Sequence, residues 1–94
     1  MAHIRKKAPP ETGEGVLSYG GHKERVGYEV DGSIAALRPG GPSLRTAIAT
    51  TSDIARDAFR AGEVNLLAAD GKTYRLRIIA HSEGSATAYG DLRI

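Results

Sequence analysis

The clearest alternation of apolar and polar positions lies between Glu63 and His81, which reads EVNLLAADGKTYRLRIIAH. Tyr74, Leu76, Ile78 and Ala80 share one parity, and Thr73, Arg75, Arg77 and Ile79 share the other. That is the period of a strand with one face on a core and one in water. Val64, Leu66 and Ala68 alternate in the same way with Glu63, Asn65 and Leu67. Asp70-Gly71 between the runs readily takes the positive φ angles of a tight turn, so the stretch predicts a β-hairpin. A hairpin alone is marginal in water, and the rest of the chain must therefore cover its apolar face.

The remaining elements follow from the same pattern. Val16, Leu17 and Tyr19 predict a short strand over 13–19, ended by a Gly20-Gly21 turn. Val26, Tyr28, Val30, Ile34 and Ala36 fall on one parity, which predicts a long strand from Arg25 to about Leu37 with Gly32 as a bend or bulge inside it. A hairpin turn at Asp31-Gly32 is the alternative. The run from Arg38 to Ser43 holds two prolines and two glycines and must be loop. Leu44, Thr46, Ile48 and Thr50 alternate with Arg45, Ala47 and Ala49, a strand pattern whose alanine content also suits a helix.

Ser52 as a cap, Asp53 in the first turn, and Ile54, Ala55, Ala58 and Phe59 on one face predict a helix at about 52–61, stopped by Gly62. Phe59, the only phenylalanine, is the expected plug for an end of the sheet. After a turn at 82–85, Ala86, Ala88, Gly90 and Leu92 share a parity opposite Thr87, Tyr89 and Asp91, a last strand of small residues. The fold expected is mainly β: a small antiparallel β-barrel or strongly curled sheet of about six strands, with the helix between strands three and four covering an end.

Composition narrows this to one core. Ninety-four residues suit a single domain, here 13–94, behind a flexible basic tail over 1–12 that lacks periodicity. Of the 40% hydrophobic residues 14 are alanine, which leaves 24 larger apolar side chains and a thin core. The net charge is +2, but Arg5, Lys6 and Lys7 sit in the tail, and residues 11–94 carry 10 basic and 11 acidic groups, or −1. A broadly basic face for nucleic acid is not supported by totals. The chain has no cysteine, which excludes disulfides and thiolate chemistry. No apolar run reaches spanning length and none follows the basic residues as a secretory leader would require, so no membrane association and a cytoplasmic location are expected.

Chemistry-bearing motifs are few. Arg56-Asp57-Ala58-Phe59-Arg60 has the spacing RxxxR and Asp31-Gly32-Ser33-Ile34-Ala35-Ala36 approximates DxSxxG, and together they resemble the cyclic-dinucleotide signature of PilZ domains, which are small β-barrels. The two fragments come in the reverse of that family's order and Ala36 stands where its closing glycine would be. These eleven residues therefore assign no family. His22 and His81 each sit beside a turn without a second ligand at metal spacing, and no nucleophile elbow or phosphate loop is present. Neither catalysis nor a cofactor is expected, and an enzyme would need His22 or His81 brought to a carboxylate in a pocket.

The one constellation with chemical content is Lys72, Arg75 and Arg77, read as the outward cations of the central strand and able to meet phosphates or an acidic partner. A non-enzymatic binding or assembly module is the first expectation, with another protein or a second copy of the chain as partner through an open edge strand. The second is a nucleic-acid-binding protein that uses Arg75, Arg77 and the tail cations Arg5, Lys6 and Lys7, with Tyr89 and Tyr19 as the aromatics available for stacking.

Overall fold

The computed structural model describes residues 10–94, so the tail cations Arg5, Lys6 and Lys7 lie outside the described residues. Six strands, β1 (Glu11–Tyr19), β2 (His22–Val30), β3 (Leu44–Ala49), β4 (Glu63–Leu67), β5 (Thr73–His81) and β6 (Thr87–Arg93), close into a barrel in the order β1-β2-β3-β6-β5-β4. Every neighbouring pair is antiparallel. The helix α1 (Ser52–Ala61) stands between β3 and β4. Each strand has two neighbours, so the open edge expected as a route to self-association is absent from the described residues. β1 starts at Glu11, which places Glu11 and Thr12 in the barrel rather than in the tail.

Alternation predicts the buried faces well. Leu17, Val26, Tyr28, Val30, Ile48, Val64, Leu66, Tyr74, Leu76, Ile78, Ala88 and Leu92 fill the interior from the six strands. The segment open to strand or helix, 44–50, is strand over Leu44–Ala49, and its buried Thr46 donates its hydroxyl to Leu44 O (3.1 Å). No described buried side-chain polar atom lacks a partner.

Several local expectations are corrected. The long strand ends at Val30: Gly32 takes a φ of 134° and its N–H donates to Val30 O (3.0 Å), turning the chain out of the ladder. Ile34–Ala36 then forms a 3-10 turn, so Gly32 is neither a bend inside a strand nor a hairpin turn. The buried pair there is Ile34 and Leu37, three apart, the period of the 3-10 turn rather than of a strand.

The predicted central hairpin forms, with Asp70-Gly71 inside a turn that also takes in Ala69. Gly71 N–H donates to Ala68 O and Ala68 N–H to Lys72 O (both 3.0 Å), with only Gly71 at positive φ (83°), which is a three-residue loop with a glycine bulge. A bulge between Ile78 and Ala80 breaks the parity of β5, leaving Ile79 and Ala80 both exposed.

The helix begins one residue earlier in its capping than expected. Thr51, not Ser52, is the N-cap, its hydroxyl accepting from Ile54 N–H (3.3 Å). Gly62 ends the helix, its N–H donating to Ala58 O (3.0 Å). Against the barrel α1 lays Ala55 and Ala58, both buried, with Ile54 partly so, while Phe59 is 42% exposed and does not plug the end. α1 follows the end of β3 and the 3-10 turn follows the end of β2; because these strands are antiparallel, the two cover opposite ends of the barrel.

Candidate functional site

The hairpin register decides which outward cations meet. Arg75 and Arg77 do project from the same face of β5, but their neighbours differ. Arg77 stands between Glu63 on β4 and Asp91 on β6. The ion pairs of those two carboxylates go to other cations, Asp91 pairing with Arg45 (3.2 Å) and Glu63 with Arg93 (3.5 Å). Arg75 stands between Asn65 and Arg93, and no carboxylate among the described residues lies within ion-pair distance of it. Two arginines directly opposite each other on one sheet face repel.

Lys72 is not on the strand at all. It lies in the turn before β5, its N–H donating to Asp70 Oδ1 (2.8 Å), and so it does not extend the arginine row.

A third arginine joins Arg75 and Arg93 from the loop after the 3-10 turn. Arg38 Nη1 donates to Ala35 O and Leu37 O (both 3.0 Å), which fixes the guanidinium over its own turn. Gly41 N–H closes a turn onto Arg38 O (2.9 Å) through Pro39 and Gly40. With proline second and a positive-φ glycine third, it has the character of a type II turn. Arg38, Gly40, Gly41, Arg75, Arg93 and Ile94 together line a pocket of about 400 Å³, with three arginines and no acidic side chain among the described residues.

A neighbouring pocket of about 380 Å³ shares Arg38 and Ile94 with the first, and reaches Leu37, Glu11, Lys72 and Tyr74. Its acidic groups are engaged. Glu11 Oε1 accepts from Ile34 N–H (3.0 Å), and Asp70 Oδ2 accepts from the Tyr74 hydroxyl (2.6 Å). The Tyr74 bond, with the Lys72 N–H, lowers the Asp70 carboxyl from its ordinary pKa. Burial and the same carboxylate push the Tyr74 hydroxyl up to about 12. Lys72 thus lines the second pocket and not the first, while Arg38 lines both.

The opposite end of the barrel carries the histidine that an enzyme reading would require. A cleft of about 400 Å³ between α1 and the β5–β6 turn is lined by Asp53, Arg56, Phe59, Arg60, His81 and Glu83, among others. His81 Nε2 is engaged with Ser85 O (2.8 Å) and its ring lies 6.1 Å from that of Phe59, while Asp53 pairs with Arg56 (3.5 Å). No hydrogen bond among the described residues joins this histidine to a carboxylate. His22 packs beside Tyr19, ring centroids 5.6 Å apart. Among the described residues no three histidine, aspartate or glutamate side chains form a metal-binding group. Tyr89 is exposed and Tyr19 half-buried. The RxxxR fragment belongs to α1 and the DxSxxG-like fragment to the 3-10 turn, so the fold sets them at opposite ends of the barrel.

Sequence pattern singles out Arg75 but not its two companions. Arg93 follows Tyr89 and Asp91 in outward parity, yet its place opposite Arg75 depends on the β5–β6 register, which periodicity leaves free. Arg38 sits in a loop where no period exists, and the Pro39-Gly40 turn after it is the one local signal that its backbone is fixed. No protein family, curated protein or solved structure matches the chain at a significant level. No helix among the described residues is long and apolar enough to cross a membrane.

Proposed function

We propose that this barrel is a non-enzymatic binding module that takes a negatively charged ligand or partner where Arg38, Arg75 and Arg93 meet. The observation that carries the reading is the register pair Arg75–Arg93: two cations held directly opposite, with a third lining the same pocket and no acidic side chain among the described residues there. Like charges so placed cost stability, and an anion between them reverses the sign of that term. The cost is built into the rigid wall of the barrel, which suits a site waiting for a ligand.

The test is thermal melting in a panel of multivalent anions at constant ionic strength, on the natural chain and on Arg75→Glu. A ligand bound only by the folded state at about 100 times its Kd adds about 2.7 kcal/mol. Citrate and phosphate are expected to raise the melting temperature of the natural chain and to lose that effect in Arg75→Glu. Without anions, Arg75→Glu is expected to melt at or above the natural chain, because it turns a like pair into an opposite pair worth roughly 0.2–1 kcal/mol. Equal anion stabilisation in both chains would contradict the proposal, since general salting effects act on both alike.

A second reading rests on its own observation. Arg93, Arg75, Asn65, Ser18 and Lys23 are successive register partners across β6, β5, β4, β1 and β2, a row with three cations and no acid. Such a row offers a track for a single-stranded nucleic-acid backbone, with the tail cations Arg5, Lys6 and Lys7 as further contacts. It requires that binding of single-stranded DNA fall steeply with salt and weaken in Lys23→Glu, a residue outside the three-arginine pocket. Unchanged binding in Lys23→Glu would remove this reading.

A further inference from the structure

Resting on the proposed anion site, we infer that its ligand is a small phosphate monoester: the dianionic head sits among Arg38, Arg75 and Arg93, and a short organic body lies along Ile94 towards the neighbouring pocket. Charge is the first argument. Three guanidinium groups line the pocket, and Glu63, paired with Arg93 at 3.5 Å, is the carboxylate that offsets one of them. Counted over side chains, the balance of +2 matches a phosphate monoester, which carries close to −2 above its second pKa of about 6. A carboxylate or a phosphodiester brings one negative charge and leaves the pocket half-neutralised.

Donor geometry is the second argument. Arg38 commits Nη1 to two carbonyls and Arg93 commits Nη2 to Glu63, which leaves each with further N–H groups, while Arg75 has all of its own. Each guanidinium presents five N–H donors in a fixed fork. Three arginines lining one pocket offer more donors than the two oxygens of a carboxylate accept, and suit the three terminal oxygens of a phosphoryl group.

Space is the third argument. The pocket of about 400 Å³ is larger than the head group needs, and Arg38 and Ile94 continue into the second pocket, where Leu37 and Tyr74 supply an apolar wall. Volumes of this size hold small organic ligands. No aromatic face lines the three-arginine pocket, so base stacking contributes nothing to recognition there.

The experiment titrates the full chain by calorimetry with phenyl phosphate, inorganic phosphate, benzoate and a blocked phosphoserine peptide at about pH 7.5, above the second phosphate pKa of about 6. Phenyl phosphate is expected to bind at least about tenfold more tightly than benzoate, the order of advantage that one added charge-assisted hydrogen bond gives. It is expected to bind more tightly than inorganic phosphate, and to weaken at about pH 5, where the head becomes a monoanion. Arg75→Gln should weaken it about tenfold or more, while Arg60→Gln, in the cleft by α1, leaves it unchanged. Tighter binding of the phosphoserine peptide than of phenyl phosphate would keep the head-group assignment and move its source to a modified protein. Equal binding of benzoate and phenyl phosphate, with both lost in Arg75→Gln, overturns the phosphate assignment and leaves the anion-binding module standing. Binding that Arg75→Gln does not affect overturns both.

Discussion

Substituting Gly90 by alanine tests the seam that sets Arg75 opposite Arg93. A Cβ at Gly90 collides with Arg77 O and meets Arg77 C at 2.9 Å and the Ile78 Cα at 3.1 Å. All three atoms are backbone of β5, so no side chain can swing aside, and β6 must move away from β5 beside the Ile78–Ala80 bulge. Overpacking of this kind costs about 1–3 kcal/mol, sometimes more. A domain of this length is stable by roughly 5–14 kcal/mol, so the loss is a visible share. With a urea slope of about 1 kcal/mol/M, the unfolding midpoint should fall by about 1–3 M. Gly27→Ala is the internal control: its Cβ finds nothing nearer than Ala49 Cβ at 3.8 Å, so the same change should stabilise by about 0.4–1 kcal/mol through the unfolded chain. Urea unfolding followed by circular dichroism reads both. If Gly90→Ala unfolds within about 0.5 M of the natural chain, at a slope of about 1 kcal/mol/M, the close approach of β5 and β6 described above is wrong.

Phe59→Ala should cost well below the roughly 3–5 kcal/mol of a buried phenylalanine, because the ring is 42% exposed; a loss in that full range would mean that Phe59 does plug the barrel. Tyr74 should ionise near pH 12 rather than at its ordinary value of 10.0, as read by phenolate absorbance. Its folded pKa is raised, so the associated stability is complete below the ordinary value and is lost as pH climbs from there through about 12. Asp70 behaves in the opposite sense: its depressed pKa gives stability that is present above the ordinary carboxylate range and lost as pH falls through the folded value. Asp70→Asn should flatten that acid limb, and an unchanged limb would show that the Tyr74–Asp70 bond is not formed in solution.

Much of the barrel is legible in the chain because its strands are half-buried. Leu76 between Arg75 and Arg77, or Ile48 between Ala47 and Ala49, announces a face with a period of two. The departures arise where another backbone rule intervenes. Gly32 at positive φ converts Ile34 from a strand residue into one of a 3-10 pair with Leu37. The Ile79 bulge turns Ala80 outward although the sequence continues the alternation. Phe59 shares a helix face with Ala55 and Ala58, but the small residues allow α1 to approach the barrel closely and the larger ring remains at the rim.

The candidate site is legible only in part for a related reason. Arg75 shows in the local pattern, whereas its nearest outward neighbours are set by pairings of distant segments. Arg93 reaches it through the β5–β6 register, and Arg38 through a loop whose position depends on the 3-10 turn beneath it. Lys72, three positions before Arg75, is carried away by the hairpin loop. Sequence proximity on a strand thus proved a poorer guide to charge clustering than register did.

The most direct test of the three-arginine site is an amide NMR titration of the isotopically labelled chain with citrate at constant ionic strength. The account predicts that Arg38, Gly40, Gly41, Arg75 and Arg93 shift together along one binding curve, and that Arg75→Glu abolishes the curve at all of them. Shifts confined to residues 3–7, or centred on Phe59, Arg60 and His81 at the other end of the barrel, would contradict it.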